Sequence, residues 1–174
     1  MMKKIMTILM ALFITTLTTA EAYQVDEVRV YKTRHRMEML YQGEITKVYT
    51  VMLSRGGMAP KRREGDKLVP EGEYRFDYKN PYSSFYKSIH INYPNPEDVA
   101  RARDMRVNPG FEIFLHGMPN YLTELSVILD DGSLELLFPG VGRDWTAGCI
   151  ALTNREMQEV WDNLEPPVMI TIYH

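Results

Sequence analysis

A rhythm of short β-rich runs cut by turn residues limits most strongly what this chain can become. Val28, Val30 and Lys32 alternate with Arg29 and Tyr31, and residues 37–41 and 45–53 are rich in β-branched, aromatic and methionine side chains. Gln42-Gly43-Glu44 lies between the last two runs and reads as a hairpin turn, so the front of the domain is expected to be a meander. Residues 74–78 and 88–93 read as further strands separated by the polar turn 79–84. Residues 111–115 make a compact apolar strand running into His116-Gly117, and residues 168–173 close the domain as a strand. Helical signals are brief. Pro96 precedes residues 97–103, acidic at the start and basic at the end, which suits a short helix and its dipole. Thr153 or Asn154 can cap a helix through Leu164, with Met157, Val160, Trp161 and Leu164 spaced for one buried face, before Pro166 and Pro167 stop it. Residues 122–137 read two ways: a helix marked by Leu122, Leu125 and Leu129, or a strand over 133–138. Mostly strands with short helices means a mainly β or α+β fold, sandwich-like in its core. The glycine- and proline-rich stretch 54–72 is a long loop, of the kind that is usually functional or mobile.

The chain has 174 residues and begins with Lys3 and Lys4, an uncharged and largely apolar stretch over 5–20, and Ala20-Glu21-Ala22. That is the grammar of a secretory signal, with cleavage expected after Ala22. The apolar stretch is shorter than the roughly 20 residues of a membrane-spanning helix and is diluted by threonines. Residues 23–174 suit one domain with a sizeable core. Removing residues 1–22 takes away Lys3, Lys4 and Glu21, moving the net charge from −3 to −4. Mild acidity leaves no electrostatic footprint for nucleic acid or anionic lipid. The one basic cluster, Lys61-Arg62-Arg63, is followed by Glu64 and Asp66 and reads as a solvated loop.

Cys149 is the only cysteine, so no disulfide can form within the chain. In an exported protein it is a buried small hydrophobe, an intermolecular link or a nucleophile. Cysteine catalysis needs a base for the thiol proton and donors for a developing oxyanion. His116 follows a buried strand, with Gly117 allowing close backbone approach, and Cys149 follows Gly148 and leads toward a helix.

Those residues resemble a known family. Thr146-Ala147-Gly148-Cys149-Ile150 is similar to the [Ser/Thr]-x-Gly-Cys signature of the L,D-transpeptidase catalytic domain (the YkuD-like fold), with His116-Gly117 as its upstream His-Gly. Gly65-Asp66-Lys67-Leu68-Val69-Pro70-Glu71-Gly72-Glu73-Tyr74 resembles the family's Gly-Asp…Thr-Pro-x-Gly-x-Tyr segment. Residues 88–98, with Tyr93-Pro94-Asn95, resemble the strand and loop before a short helix in the periplasmic branch, so the likeness covers residues 52–173. It implies a YkuD-like, β-sandwich-type core with short helices. It also implies that Cys149 attacks the carbonyl joining the third residue of a peptidoglycan stem peptide to the following D-alanine. His116 takes the thiol proton, and the Gly117 carbonyl orients the imidazole. Backbone N–H groups around Gly148 and Cys149 hold the oxyanion, and Thr146 braces the loop. No metal or cofactor is implied.

Two departures bear on specificity. Many members carry Arg two residues after the cysteine, where this chain has Ala151; Arg143 is the candidate replacement cation for substrate carboxylate, or else a solvent-exposed arginine. The interval from His116 to Thr146 is also long, so residues 118–142 read as an insertion over or beside the cleft. Trp145 lines a substrate groove or packs the loop, and Tyr93 contacts the stem peptide or anchors a Tyr-Pro turn. His90 is a core, surface or catalytic histidine, and His35 and His174 have no companions at metal-ligand spacing. The leading expectation is an exported, periplasmic cysteine acyltransferase, with a wall-anchored protein as a further acceptor or substrate. Its rivals are an L,D-carboxypeptidase or amidase that passes the acyl group to water, and a non-catalytic wall-binding protein. A redox role lacks a second, resolving cysteine.

Overall fold

The computed structural model describes residues 24–121, 125–128, 134–137 and 142–174. The signal sequence read from residues 1–22 lies outside the described residues, as do residues 122–124, 129–133 and 138–141 of the 118–142 insertion. The opening runs form an antiparallel meander of β1 (Glu27–Tyr31), β2 (Arg36–Tyr41) and β3 (Glu44–Thr50). Gln42 and Gly43 both take positive φ (53° and 83°), the turn whose twist matches that of the strands it joins.

Next come β4 (Gly72–Asn80), β5 (Ser88–Ile91), α1 (Pro96–Asp104) and β6 (Ile113–His116). After them come β7 (Leu125–Ile128), β8 (Leu134–Leu137), β9 (Ile150–Ala151), α2 (Asn154–Asn163) and β10 (Val168–Tyr173). Eight strands make one curled mixed sheet in the order β3-β2-β1-β10-β4-β5-β6-β9, while β7 and β8 pair separately. The stretch left open at 122–137 is therefore a hairpin in its described parts, not a helix. Just past β3, Met52 bridges antiparallel to Ala151 of β9, with N–H···O bonds of 2.9 and 2.8 Å. The bridge brings the chain following one edge strand against the other edge, so the sheet curls around its own core.

Alternation places the apolar side chains inside. Val28 and Val30 of β1, Tyr74 and Phe76 of β4, Ile89 and Ile91 of β5, and Ile170 and Ile172 of β10 share one buried cluster with Met157, Val160 and Leu164 from the end of the chain. Thr153 caps α2 in a reciprocal box with Glu156, and Asn95 caps α1 in the same way with Asp98. Buried Asp98 also accepts from Tyr74 Oη at 2.9 Å, tying α1 to β4.

The 54–72 loop is held at several points. The Asp66 carboxylate accepts from the N–H groups of Arg62, Arg63 and Leu68 at 2.7–3.1 Å and pairs with Lys61 at 2.9 Å. Lys61 is consequently buried rather than solvated, while Arg62 and Arg63 remain exposed. Lys32, fully buried, donates to the carbonyls of Ala59 and Val69 and to Glu71 Oε1. These internal partners replace the water that each ammonium gives up.

Candidate active site

In β6, Ile113 and Leu115 enter the core, so Phe114 and His116 turn to the other face. Register pairs Ser88 with His116 and His90 with Phe114, which places all four on that face. His116 is nonetheless only 3% exposed, because the rings of Phe85 (4.6 Å between centroids) and Trp145 (5.5 Å) cover its imidazole.

His116 Nδ1 lies 2.7 Å from the Gly117 carbonyl. A carbonyl can only accept, so the neutral ring carries its proton on Nδ1 and leaves Nε2 with a free lone pair. Burial pulls the imidazole pKa down to about 4, against the opposing pull of that carbonyl. The ring is therefore a neutral acceptor at ordinary pH. Gly117 is held where no other residue fits: a Cβ there would lie 2.7 Å from Asn154 Oδ1 and 2.9 Å from Tyr86 Cβ. Asn154 Oδ1 also accepts from the Met118 N–H, so the first turn of α2 clamps the strand end that carries the histidine.

The segment leading to Cys149 is laced to the chain after β3. Trp145 and Thr146 N–H donate to the Leu53 carbonyl, and the Asp144 carboxylate accepts from the Leu53 N–H and pairs with His35 Nε2. Buried Thr146 donates through Oγ1 to the Cys149 carbonyl at 2.7 Å and accepts from the Gly148 N–H at 3.4 Å. Gly148 has φ 132° and packs against the Leu68 carbonyl of the loop organised by Asp66. Burial is the largest influence on Cys149 and pushes its thiol up; a backbone hydrogen bond at Phe114 opposes this and the charge of Glu112 adds to it. The resting thiol is thus neutral in the same cavity as a neutral imidazole, suited to giving up its proton as it attacks.

Cys149 and His116 line one cavity of about 260 Å³ with Asn80, Tyr82, Phe85, Ser88, Glu112 and Phe114 among its walls. Glu112 sits in the left-handed region (φ 64°), which costs an L residue roughly 1–2 kcal/mol. Its main-chain carbonyl comes within 3.8 Å of Cys149 Sγ.

Of the other residues singled out from the sequence, Gly117, Gly148, Thr146 and Trp145 surround this pair. Trp145 packs against the imidazole, and its buried Nε1–H has no partner among the described residues. Tyr93 must be corrected. It is 3% exposed, its hydroxyl donates to the Pro109 carbonyl at 2.8 Å, and it is a packing anchor rather than a substrate contact. Arg143 is exposed and is not among the cavity-lining residues. His90 pairs with Asp77 Oδ1 at 2.7 Å and stacks on Tyr78.

Sequence reasoning missed the 80–85 loop, Glu112 and Asn154. The loop looked like a plain polar turn, and no local pattern marks residues whose neighbours lie far along the chain.

The family description "L,D-transpeptidase catalytic domain" (YkuD) matches residues 26–170, nearly the whole described chain. The chain belongs to this family. Among curated relatives it is 24% identical over 159 residues to the candidate L,D-transpeptidase YafK of Escherichia coli (strain K12), covering 84% of this chain and 52% of that protein. Among solved structures it matches the helical cell shape determining protein Pgp2 of Campylobacter jejuni, with TM-score 0.57 and 25% identity over 85% of this chain and 47% of that one. Bd1075 of Bdellovibrio bacteriovorus shares the fold, with TM-score 0.54 and 21% identity over 87% and 49% of the two chains. The chain thus spans about half the length of these relatives. Within the L,D-transpeptidase domain, Ala151 is fully buried between Met52 and His116, so its side chain faces neither solvent nor the cavity wall.

Proposed function

We propose that this protein is an exported, periplasmic cysteine acyltransferase acting on peptidoglycan stem peptides, with Cys149 as nucleophile and His116 as base. The observation that carries the reading is the Nδ1 contact to Gly117 O, which leaves Nε2 as the acceptor in the cavity that holds the only thiol. The Cys149 proton passes to His116 Nε2 as sulfur attacks the carbonyl between the third stem residue and the D-alanine after it. Backbone N–H groups about Gly148 and Cys149 receive the oxyanion, on a loop that Thr146 braces. Collapse breaks the C–N bond, and His116 returns its proton to the departing amine, leaving a thioester. An amine, from another stem or from a wall-anchored protein, then displaces the sulfur; water as acceptor makes the same enzyme a carboxypeptidase or amidase. No cofactor enters these steps.

Incubation of the purified protein with tetrapeptide muropeptides, followed by mass spectrometry, tests the reading. Dimeric products are expected, and both thioester and product are lost in Cys149→Ala and His116→Ala. Tripeptide monomers alone would reassign the acceptor to water. Native protein that forms no adduct with these peptides or with a carbapenem would overturn the enzyme reading.

A further inference from the structure

The cavity around Cys149 is electrostatically one-sided. Glu112 is the one lining side chain with a fixed charge, and among the described residues no Lys, Arg or His lies within ion-pair distance of its carboxylate. Its main-chain carbonyl lies 3.8 Å from Cys149 Sγ, and its charge pushes up both the Cys149 thiol and the Tyr78 hydroxyl. Tyr78 packs edge-on to Phe114 at 6.4 Å, and Phe114 and Tyr82 line the cavity itself.

Lys61, the cation whose charge reaches Cys149, is committed to Asp66 and the Arg63 carbonyl. A carboxylate in a cavity whose other walls include aromatic rings matches an ammonium group by ion pairing and cation–π attraction, and it repels a carboxylate.

We propose that Glu112 is a specificity residue that holds a primary ammonium group of the substrate beside the bond being exchanged, against Phe114 and Tyr82. The inference rests on the acyl-transfer reading for the substrate class. Two sources share this chemistry: the side-chain amine of a diamino acid at the third position of the donor stem, and the second, non-reacting amine of a diamino acceptor.

The test uses the full chain and a stem tetrapeptide with its side-chain amine either free or N-acetylated. Calorimetric titration of Cys149→Ala separates binding from chemistry. Acetylation is expected to weaken binding about tenfold, Glu112→Gln to bring the two peptides level, and Glu112→Asp to restore part of the preference. In the Cys149-containing protein, acetylating the donor amine slows thioester formation, read by intact mass, if the donor supplies the group. Acetylating the non-reacting amine of a diamino acceptor lowers the ratio of transfer to hydrolysis, with thioester formation unchanged, if the acceptor does. Equal discrimination by Glu112→Gln and the native residue in every arm overturns the proposal. Failure of the native protein to form any thioester removes the acyl-transfer reading, while the binding titration still decides the role of Glu112.

Discussion

Because the surrounding rings exclude water, and despite the Gly117 carbonyl at Nδ1, His116 stays neutral down to about pH 4. The acid limb of any rate that needs this base should therefore fall near pH 4 rather than near the ordinary 6.5, and initial acylation rates across the acid range will show it. The same burial has a cost in stability. Unfolded chain takes up a proton at His116 near pH 6.5 and folded chain only near 4, so between those values the unfolded state binds more protons. Above that window the ring contributes no pH dependence. As pH falls through it, stability drops by on the order of 3 kcal/mol, a loss that His116→Gln removes. Denaturant unfolding of both proteins at pH 7 and about pH 4.5 measures the difference, and parallel losses in the two would refute the assignment. Thr146→Ala should cost about 1–3 kcal/mol, since it removes the buried hydroxyl that donates to the part-buried Cys149 carbonyl. Thr146→Ser keeps the hydroxyl and should recover most of that loss in the same unfolding assay.

The helix α2 links folding to the site through its first turn. Thr153 caps it and Asn154 clamps the strand end at Gly117 and Met118, so fraying there loosens the histidine as well as the helix. Thr153→Ala is expected to cost about 1 kcal/mol and to lower the melting temperature by roughly 2–4 °C. Gly117→Ala is a harsher change, because its methyl group meets Asn154 and Tyr86 at distances that real atoms do not share. It should destabilise the domain and slow acylation of Cys149 by a carbapenem, measured by intact mass. A rate equal to that of the native protein would mean that the clamp does not position His116.

Closure of the curled sheet brings the site together from distant parts of the chain. His116, Cys149 and the Leu53 carbonyl that anchors the cysteine loop meet because the segment after β3 reaches β9 across the Met52–Ala151 bridge. Amide exchange should place Met52 and Ala151 among the slowly exchanging positions, opening only with global unfolding; fast exchange at both would mean that the sheet edge opens independently. Most strands and both helices were legible beforehand because alternation and capping are local: the alternation of Val28 and Val30 with Arg29 and Tyr31 in β1, and Thr153 ahead of α2, read directly from residue order. Cys149, His116 and Gly117 were legible because each sits in a short motif. Tyr93 misled because its motif gives no sign of which face the ring takes, and packing turned it inward to Pro109. Residues 122–137 stayed open between helix and strand because leucines spaced for a helix also suit paired strands, which the described parts form. Residue order thus gave the β-rich class and pointed to candidates for nucleophile and base. Only the folded chain decided the proton's place on His116, the burial that keeps both reacting groups neutral, and Glu112 as the charge on the cavity wall. Those properties depend on which distant groups exclude water from a side chain, and no local pattern encodes that.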